Sequence, residues 1–171
     1  YNDYQEEVDF CRRNGFDFMQ IWYLKGEIIL DKVPHPKEKY IKEAGFPIII
    51  HAVLDINEFE EHVPKIVEVL SYLGHKELII HPICESEEIT AASIVKLTDK
   101  VAAAQQLMKQ HGVTLYLENN SRLDPINQSV EELRIMFERN TEVELLLDVA
   151  HIDSYEHLAG ILTVKKPRAL H

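Results

Sequence analysis

Six short runs of apolar, mostly β-branched and aliphatic residues recur along this chain, at 18–23, 47–51, 77–81, 113–118, 143–148 and 168–171. Most are near-continuously apolar rather than alternating, which is how a strand covered on both faces in a parallel sheet reads. Amphipathic stretches with helical spacing stand between them. Val63, Ile66, Val67, Leu70 and Leu73 fall on one stripe, and Ile94, Leu97, Val101, Ala104 and Met108 fall on another within 91–111. Ser129 followed by Glu132 predicts a capping box opening a third helix over 129–139. Gly15, Gly45, Gly74 and Gly112 each follow a helical stretch and precede a strand, the place where a chain leaves its helix through a left-handed residue. The strands start at intervals of ~30 residues, the length of one βα unit.

Strict alternation of strand and helix leaves two architectures, a doubly wound open sheet or a parallel (β/α)8 TIM barrel. The open sheet predicts a glycine-rich phosphate loop after an early strand, and neither GxGxxG nor GxxxxGK[ST] occurs. The barrel predicts functional side chains at the C-terminal ends of several strands. The six runs end in Tyr23, His51, His81, Glu118, Asp148 and His171, so five of the six are His, Glu or Asp. The expectation is therefore an α/β chain with a parallel (β/α)8 TIM barrel, a single domain over 1–171. About six strands are recognisable, and the first and last strands are expected to be missing from this stretch.

Composition narrows the class. The 171 residues are 46% hydrophobic and 27% charged, which excludes a disordered chain. Lys plus Arg total 18 against 29 Asp plus Glu, a formal charge of −11, and phosphate binding wants the opposite balance. Cys11 and Cys84 form no CxxC, so a disulfide framework is not expected and a reducing cytoplasm is. No apolar run approaches the ~18 residues of a membrane span, and residues 1–10 carry no signal-peptide pattern.

In a barrel the C-terminal strand ends face one pocket, and His151 follows Asp148 closely enough to turn back on it. Two carboxylates and four imidazoles gathered there are costly without a cation among them. Nitrogen-plus-carboxylate ligation suits Zn, Mn, Co or Fe better than Mg or Ca. Trp22 and Tyr23 are read as walls of the pocket or packing at its rim. Asn119 and Asn120 either meet a substrate hydroxyl or orient Glu118. Cys84 is expected as a small apolar filler, and Glu85, Glu87 and Glu88 as a solvated helix N-terminus. His35, His62, His75, His111 and His157 are expected at the surface.

The segments Ile80-His81-Pro82, Leu117-Glu118-Asn119, Leu147-Asp148-Val149-Ala150-His151 and Ala169-Leu170-His171, in that order on successive strands, resemble the xylose isomerase-like TIM barrel superfamily. That superfamily holds metal-dependent sugar and sugar phosphate isomerases and epimerases, and also apurinic endonucleases of the endonuclease IV type. The resemblance spans nearly the whole chain. In the isomerase branch it implies metal ligands at Glu118, Asp148 and His171, with His151 touching substrate. In the endonuclease branch it implies a zinc cluster on His51, His81, Glu118, Asp148, His151 and His171. These six do not separate the branches, and the residues that would are expected beyond His171.

The function expected is a metal-dependent isomerase or epimerase of a small sugar, sugar phosphate or polyol, by proton transfer next to a metal-held carbonyl. Glu118 and His151 are the expected catalytic residues. Glu118, Asp148, His171, His81 and His51 are expected to hold a divalent Mn, Co or Zn ion. His151, Asn119, Trp22 and Tyr23 are expected to meet the substrate. The expected partner is a small carbohydrate rather than nucleic acid or a membrane, and a homo-oligomer is left open. One alternative is a zinc-dependent endonuclease IV-like phosphodiesterase acting on abasic DNA, against which the −11 charge and Asp55 beside the site both count. The other is a non-catalytic barrel that retains the metal site.

Overall fold

The computed structural model describes residues 4–23 and 36–171. The elements run α1 (Tyr4–Arg13), β1 (Met19–Tyr23), α2 (Pro36–Ala44), β2 (Ile48–Asp55), α3 (Phe59–Leu73), β3 (Glu77–Ile83) and α4 (Ala91–Gln110). They continue as β4 (Thr114–Glu118), α5 (Val130–Arg139), β5 (Glu144–Leu147), a single 3-10 turn (Val149–His151), α6 (Tyr155–Val164) and β6 (Ala169–Leu170). The strands lie in one six-stranded sheet in the order β1 to β6, and every neighbouring pair is parallel. This is a curled half-barrel of the (β/α)8 kind. Among the described residues no helix is long and apolar enough to cross a membrane.

The period of two along each strand divides the sheet into two faces. Ile48, Ile50, Ala52 and Leu54 of β2, Leu78 and Ile80 of β3, Leu115 and Leu117 of β4, and Leu145 and Leu147 of β5 face the helices. They pack there against both helical stripes named above, which are buried throughout. The alternate residues line the concave face. An open trough of about 460 Å³ runs along its lower half, between Gln20, Ile49, Ile79, Tyr116 and Arg168.

Local chemistry sets the element ends. Gly74 closes α3 at φ 78°, in the left-handed region that glycine enters without strain, and its N–H caps Leu70 O. Ser129 and Glu132 form the capping box of α5. The start of α4 differs from the sequence expectation. Thr90 caps it in a box with Ser93, so Glu85, Glu87 and Glu88 belong to the preceding loop rather than to a helix N-terminus. Two strand ends differ as well. β2 continues past His51 to Asp55 and β3 past His81 to Ile83, because Val53, Leu54 and Asp55 go on pairing with His81, Pro82 and Ile83. His51 thus sits in the wall of the half-barrel rather than at its rim.

Candidate metal centre

Glu118 is the last residue of β4, and its carboxylate is almost fully buried on the concave face. Imidazoles from three other strand segments reach it. His51 Nε2 lies 2.8 Å from Oε2, His81 Nδ1 3.2 Å from the same oxygen, and His171 Nδ1 3.1 Å from Oε1. The fourth, His151, approaches Oε1 at 3.9 Å. Asp148, directly after β5, adds a second carboxylate, with Oδ2 3.3 Å from His171 Nδ1 and 3.7 Å from His151 Nε2. Its other oxygen caps the 3-10 turn through Ala150 N–H at 2.7 Å, which fixes the carboxylate's rotation.

These contacts set the charges. Burial alone would push the Glu118 carboxyl up, but hydrogen bonds from His51 and His81, the attraction of His51 and a hydrogen bond from His171 outweigh it. The net effect holds Glu118 far below the ordinary carboxylate range, and so ionised at neutral pH. His81 moves the other way. Burial would lower it, but the hydrogen bond and charge of Glu118, joined by Asp124, raise it above the usual imidazole value.

A set of buried asparagines holds the frame. Asn119 spends its side-chain amide on Asp148, accepting from the backbone N–H at 2.8 Å and donating to the carbonyl at 3.2 Å. Its own carbonyl accepts from His151 Nδ1 at 2.8 Å. A carbonyl can only accept, so His151 carries its proton on Nδ1 and turns the Nε2 lone pair toward the site. Asn120 donates to Pro82 O, and Asn127 donates to Glu118 O at 2.7 Å. Asn127 does so at φ 59°, a left-handed conformation that asparagine tolerates better than most residues. The Asn119 side chain is fully buried with its amide on the Asp148 backbone, so it braces Asp148 rather than Glu118.

The structure thus brings together Glu118, Asp148, His51, His81, His151 and His171. Trp22 joins them, its indole tilted over His51 with ring centroids 5.1 Å apart and about half its surface open. Tyr23 does not join them. One residue further along β1 it points the other way, into the helix layer, where its hydroxyl meets His62 Nδ1 and the rings pack edge-on. Alternation along the strand forbids both neighbours from walling the same pocket. The same contact removes His62 from the free surface. His157 is tied down too, with Nε2 2.9 Å from Gln128 O, and His75 is half-buried. His111 is exposed as expected, and His35 lies outside the described residues. Cys84 packs against the core as a filler.

Two site residues escaped the sequence reading. Gln20 lies on the concave face of β1, with Nε2 2.8 Å from His51 Nδ1 and 3.3 Å from His171 Nε2. Its signal was available, because it sits two residues before Trp22 on the same face. Asp124 comes from the loop after β4 and places Oδ2 3.5 Å from His81 Nε2. No periodicity governs such a loop, and nothing in the sequence marked it.

The donors fit a divalent ion. His51, Glu118 and His171 form one group, and His81, Glu118 and His151 another, with ligand atoms within 4.8 Å of one another in each. Imidazole nitrogen with carboxylate oxygen is borderline-soft ligation, suited to Zn, Mn or Co.

No protein-family model matches the sequence, and no curated protein matches it by sequence. Solved structures do match. A D-allulose 3-epimerase from Methylomonas sp. in complex with D-allulose superposes with a TM-score of 0.78 at 16% identity, over 98% of this chain and 65% of that one. The 3-keto-D-glucoside 4-epimerase YcjR from E. coli gives a TM-score of 0.72 at 20% identity, over 100% of this chain and 74% of that one. The IolI protein with a binding zinc atom gives 0.68 at 17%, over 88% and 59%. The chain spans about two thirds of the length of the 3-epimerases it superposes on. Six parallel strands in this order, with these superpositions, give the chain the parallel (β/α) barrel fold of these solved structures.

Proposed function

We propose that this chain carries the metal site of an isomerase or epimerase acting on a small sugar, sugar phosphate or polyol. The observation that carries it is Glu118, a buried carboxylate faced by imidazoles from four other segments of a half-barrel, on one concave surface. Glu118, Asp148, His171, His51 and His81 would hold a Mn, Co or Zn ion. The ion supplies a Lewis acid that polarises substrate oxygens.

The chain's own groups supply the rest. Glu118 is ionised at neutral pH and can take a proton, though its depressed basicity makes it a modest acceptor that needs an acidified substrate. His151 offers the Nε2 lone pair to a substrate hydroxyl, its orientation fixed by Asn119. Trp22 offers an open ring face beside His51, suited to the apolar face of a sugar. The neighbours whose names include D-allulose and 3-keto-D-glucoside support a carbohydrate ligand, and the zinc-binding neighbour supports an ion. Two free cysteines fit a reducing, cytoplasmic setting.

A second reading, a zinc phosphodiesterase acting on abasic DNA, draws on the two donor groups that share Glu118, which offer room for more than one ion. Acidic Asp124 at the site and the pairing of Arg122 with Asp153 count against a phosphate backbone there. The test is elemental analysis of purified protein, together with deuterium exchange from solvent into a panel of small ketoses. About one ion per chain with exchange into a ketose supports the proposal. Several ions per chain, no exchange and cleavage of an abasic-site oligonucleotide overturn it in favour of the second reading.

A further inference from the structure

Gln20 and His171 stand at opposite ends of the sheet, on the first strand and directly after the last, yet the curl brings them to 3.3 Å. The same amide is 2.8 Å from His51. Gln20 therefore touches both imidazoles of the His51–Glu118–His171 group, each at the ring nitrogen that faces away from Glu118.

The arrangement has a strict donor–acceptor logic. An amide NH2 only donates, so the contacts of Gln20 Nε2 make His51 Nδ1 and His171 Nε2 the accepting nitrogens and leave the protons on His171 Nδ1, bonded to Glu118, and on His51 Nε2, 2.8 Å from the same carboxylate. His51 Nδ1 and His171 Nε2 are then bare lone pairs, and the two N–H bonds of the Gln20 amide suit them. An ion reverses the requirement. Nitrogens that hold a cation must be unprotonated, which moves both protons to the nitrogens facing Gln20. Those N–H groups need an acceptor, and the Gln20 carbonyl has two lone pairs. A half-turn of the amide about its last torsion satisfies either state.

We propose that Gln20 is a positioning residue that sets the tautomers of His51 and His171 together, presenting its NH2 when the group is empty and its carbonyl oxygen when the group holds an ion. This rests on the metal reading above. Glutamine at this position serves both states, whereas a side chain fixed as acceptor would favour only the loaded one.

The test compares the unaltered protein with Gln20→Leu and Gln20→Glu, titrating each with Mn, Co and Zn by calorimetry or equilibrium dialysis. Gln20→Leu keeps bulk but can neither donate nor accept, and metal affinity should fall ~10–100-fold. Gln20→Glu only accepts, and should bind metal at least as tightly as the unaltered protein. Nitrogen-15 NMR of the imidazoles, recorded without metal, gives a second readout. The unaltered protein should show His51 protonated at Nε2 and His171 at Nδ1, and Gln20→Glu should bias both toward the opposite nitrogens. Equal affinity in Gln20→Leu, or equal loss in Gln20→Leu and Gln20→Glu, overturns the switch while leaving the metal reading standing. An unaltered protein that binds none of the three ions overturns the metal reading and the switch with it.

Discussion

His51 Nε2 and Glu118 Oε2 meet at 2.8 Å with both side chains almost wholly buried, one in the wall of β2 and the other at the end of β4. A buried carboxylate is costly unless it is paired and hydrogen-bonded, so the imidazoles around Glu118 and the charge of Glu118 depend on one another. Glu118→Ala should abolish metal binding. Glu118→Gln keeps the shape and one oxygen donor but cannot take a proton. Metal should then be partly retained while turnover falls by ~10²-fold or more. Elemental analysis run alongside the exchange assay separates the two effects, and an equal loss of both in Glu118→Gln would assign the residue to metal holding alone.

Asn119 offers a test of the frame apart from the ligands. Its amide makes two bonds to the Asp148 backbone, and its carbonyl fixes His151. Asn119→Ala leaves the buried N–H of Asp148 unpaired, while its carbonyl keeps the His151 N–H at 3.3 Å, and should cost about 1–3 kcal/mol in denaturant unfolding. It should also weaken metal binding, because Asp148 and the 3-10 turn that carries His151 lose their anchor. A metal affinity unchanged beside a lowered stability would show that the turn holds itself.

Trp22 and Tyr23 make a paired experiment from adjacent residues on opposite faces. Trp22→Ala removes the exposed ring over His51 and should raise KM for a carbohydrate substrate with little change in Tm. Tyr23→Phe removes the bond to His62 in the helix layer, and should cost about 1 kcal/mol of stability with KM unchanged. If Tyr23→Phe moved KM instead, the separation of the two faces would fail.

That pair also shows where the sequence was legible. The repeat of short apolar runs and glycine-ended helices carried the whole topology, because a parallel sheet covered on both faces leaves few other patterns. The site was legible where chemistry sits on a strand or directly after one: His81, Glu118 and Asp148 stand out against apolar neighbours. It was less legible where the signal is a phase rather than a residue type. Tyr23 looked like part of the pocket because it is aromatic and terminal, and only the alternation from Trp22 turns it outward. Gln20 passed unnoticed for the converse reason, being an ordinary polar residue in the right phase. The strand ends at His51 and His81 were set too early because Ala52-Val53-Leu54 and Pro82-Ile83 read equally well as apolar loop or continuing strand. Asp124 and the braces of Asn120 and Asn127 depend on loop geometry, which no period encodes.

The last prediction concerns Asp55, at the end of β2 above His51. Its Oδ1 accepts from Asn57 N–H at 2.9 Å, and its Oδ2 from Glu85 and Ser86 N–H at 2.8 and 3.0 Å, while the Ser86 hydroxyl also meets it. One carboxylate thereby joins the loop after β2 to the loop after β3, the two that follow the His51 and His81 strands. Burial alone would raise the Asp55 carboxyl, but the bonds from Ser86, Asn57 and Glu85 outweigh it and hold it below the ordinary value of 3.8. A carboxyl that is more acidic folded than unfolded contributes stability above its unfolded value and loses it as pH falls through the folded one. Asp55→Asn keeps one accepting oxygen but turns an NH2 toward backbone N–H groups, and near neutral pH it should cost about 1–3 kcal/mol in urea unfolding. Asparagine does not titrate, so the gap between the variant and the unaltered protein should begin to narrow as pH falls below about 4, where the unfolded Asp55 carboxyl takes up its proton, and go on narrowing as the folded one follows. Taking the difference between two proteins removes the titration of every carboxylate remote from the substitution. A gap that stays constant down to about pH 3 would show that the charge on Asp55 contributes nothing to joining the two loops.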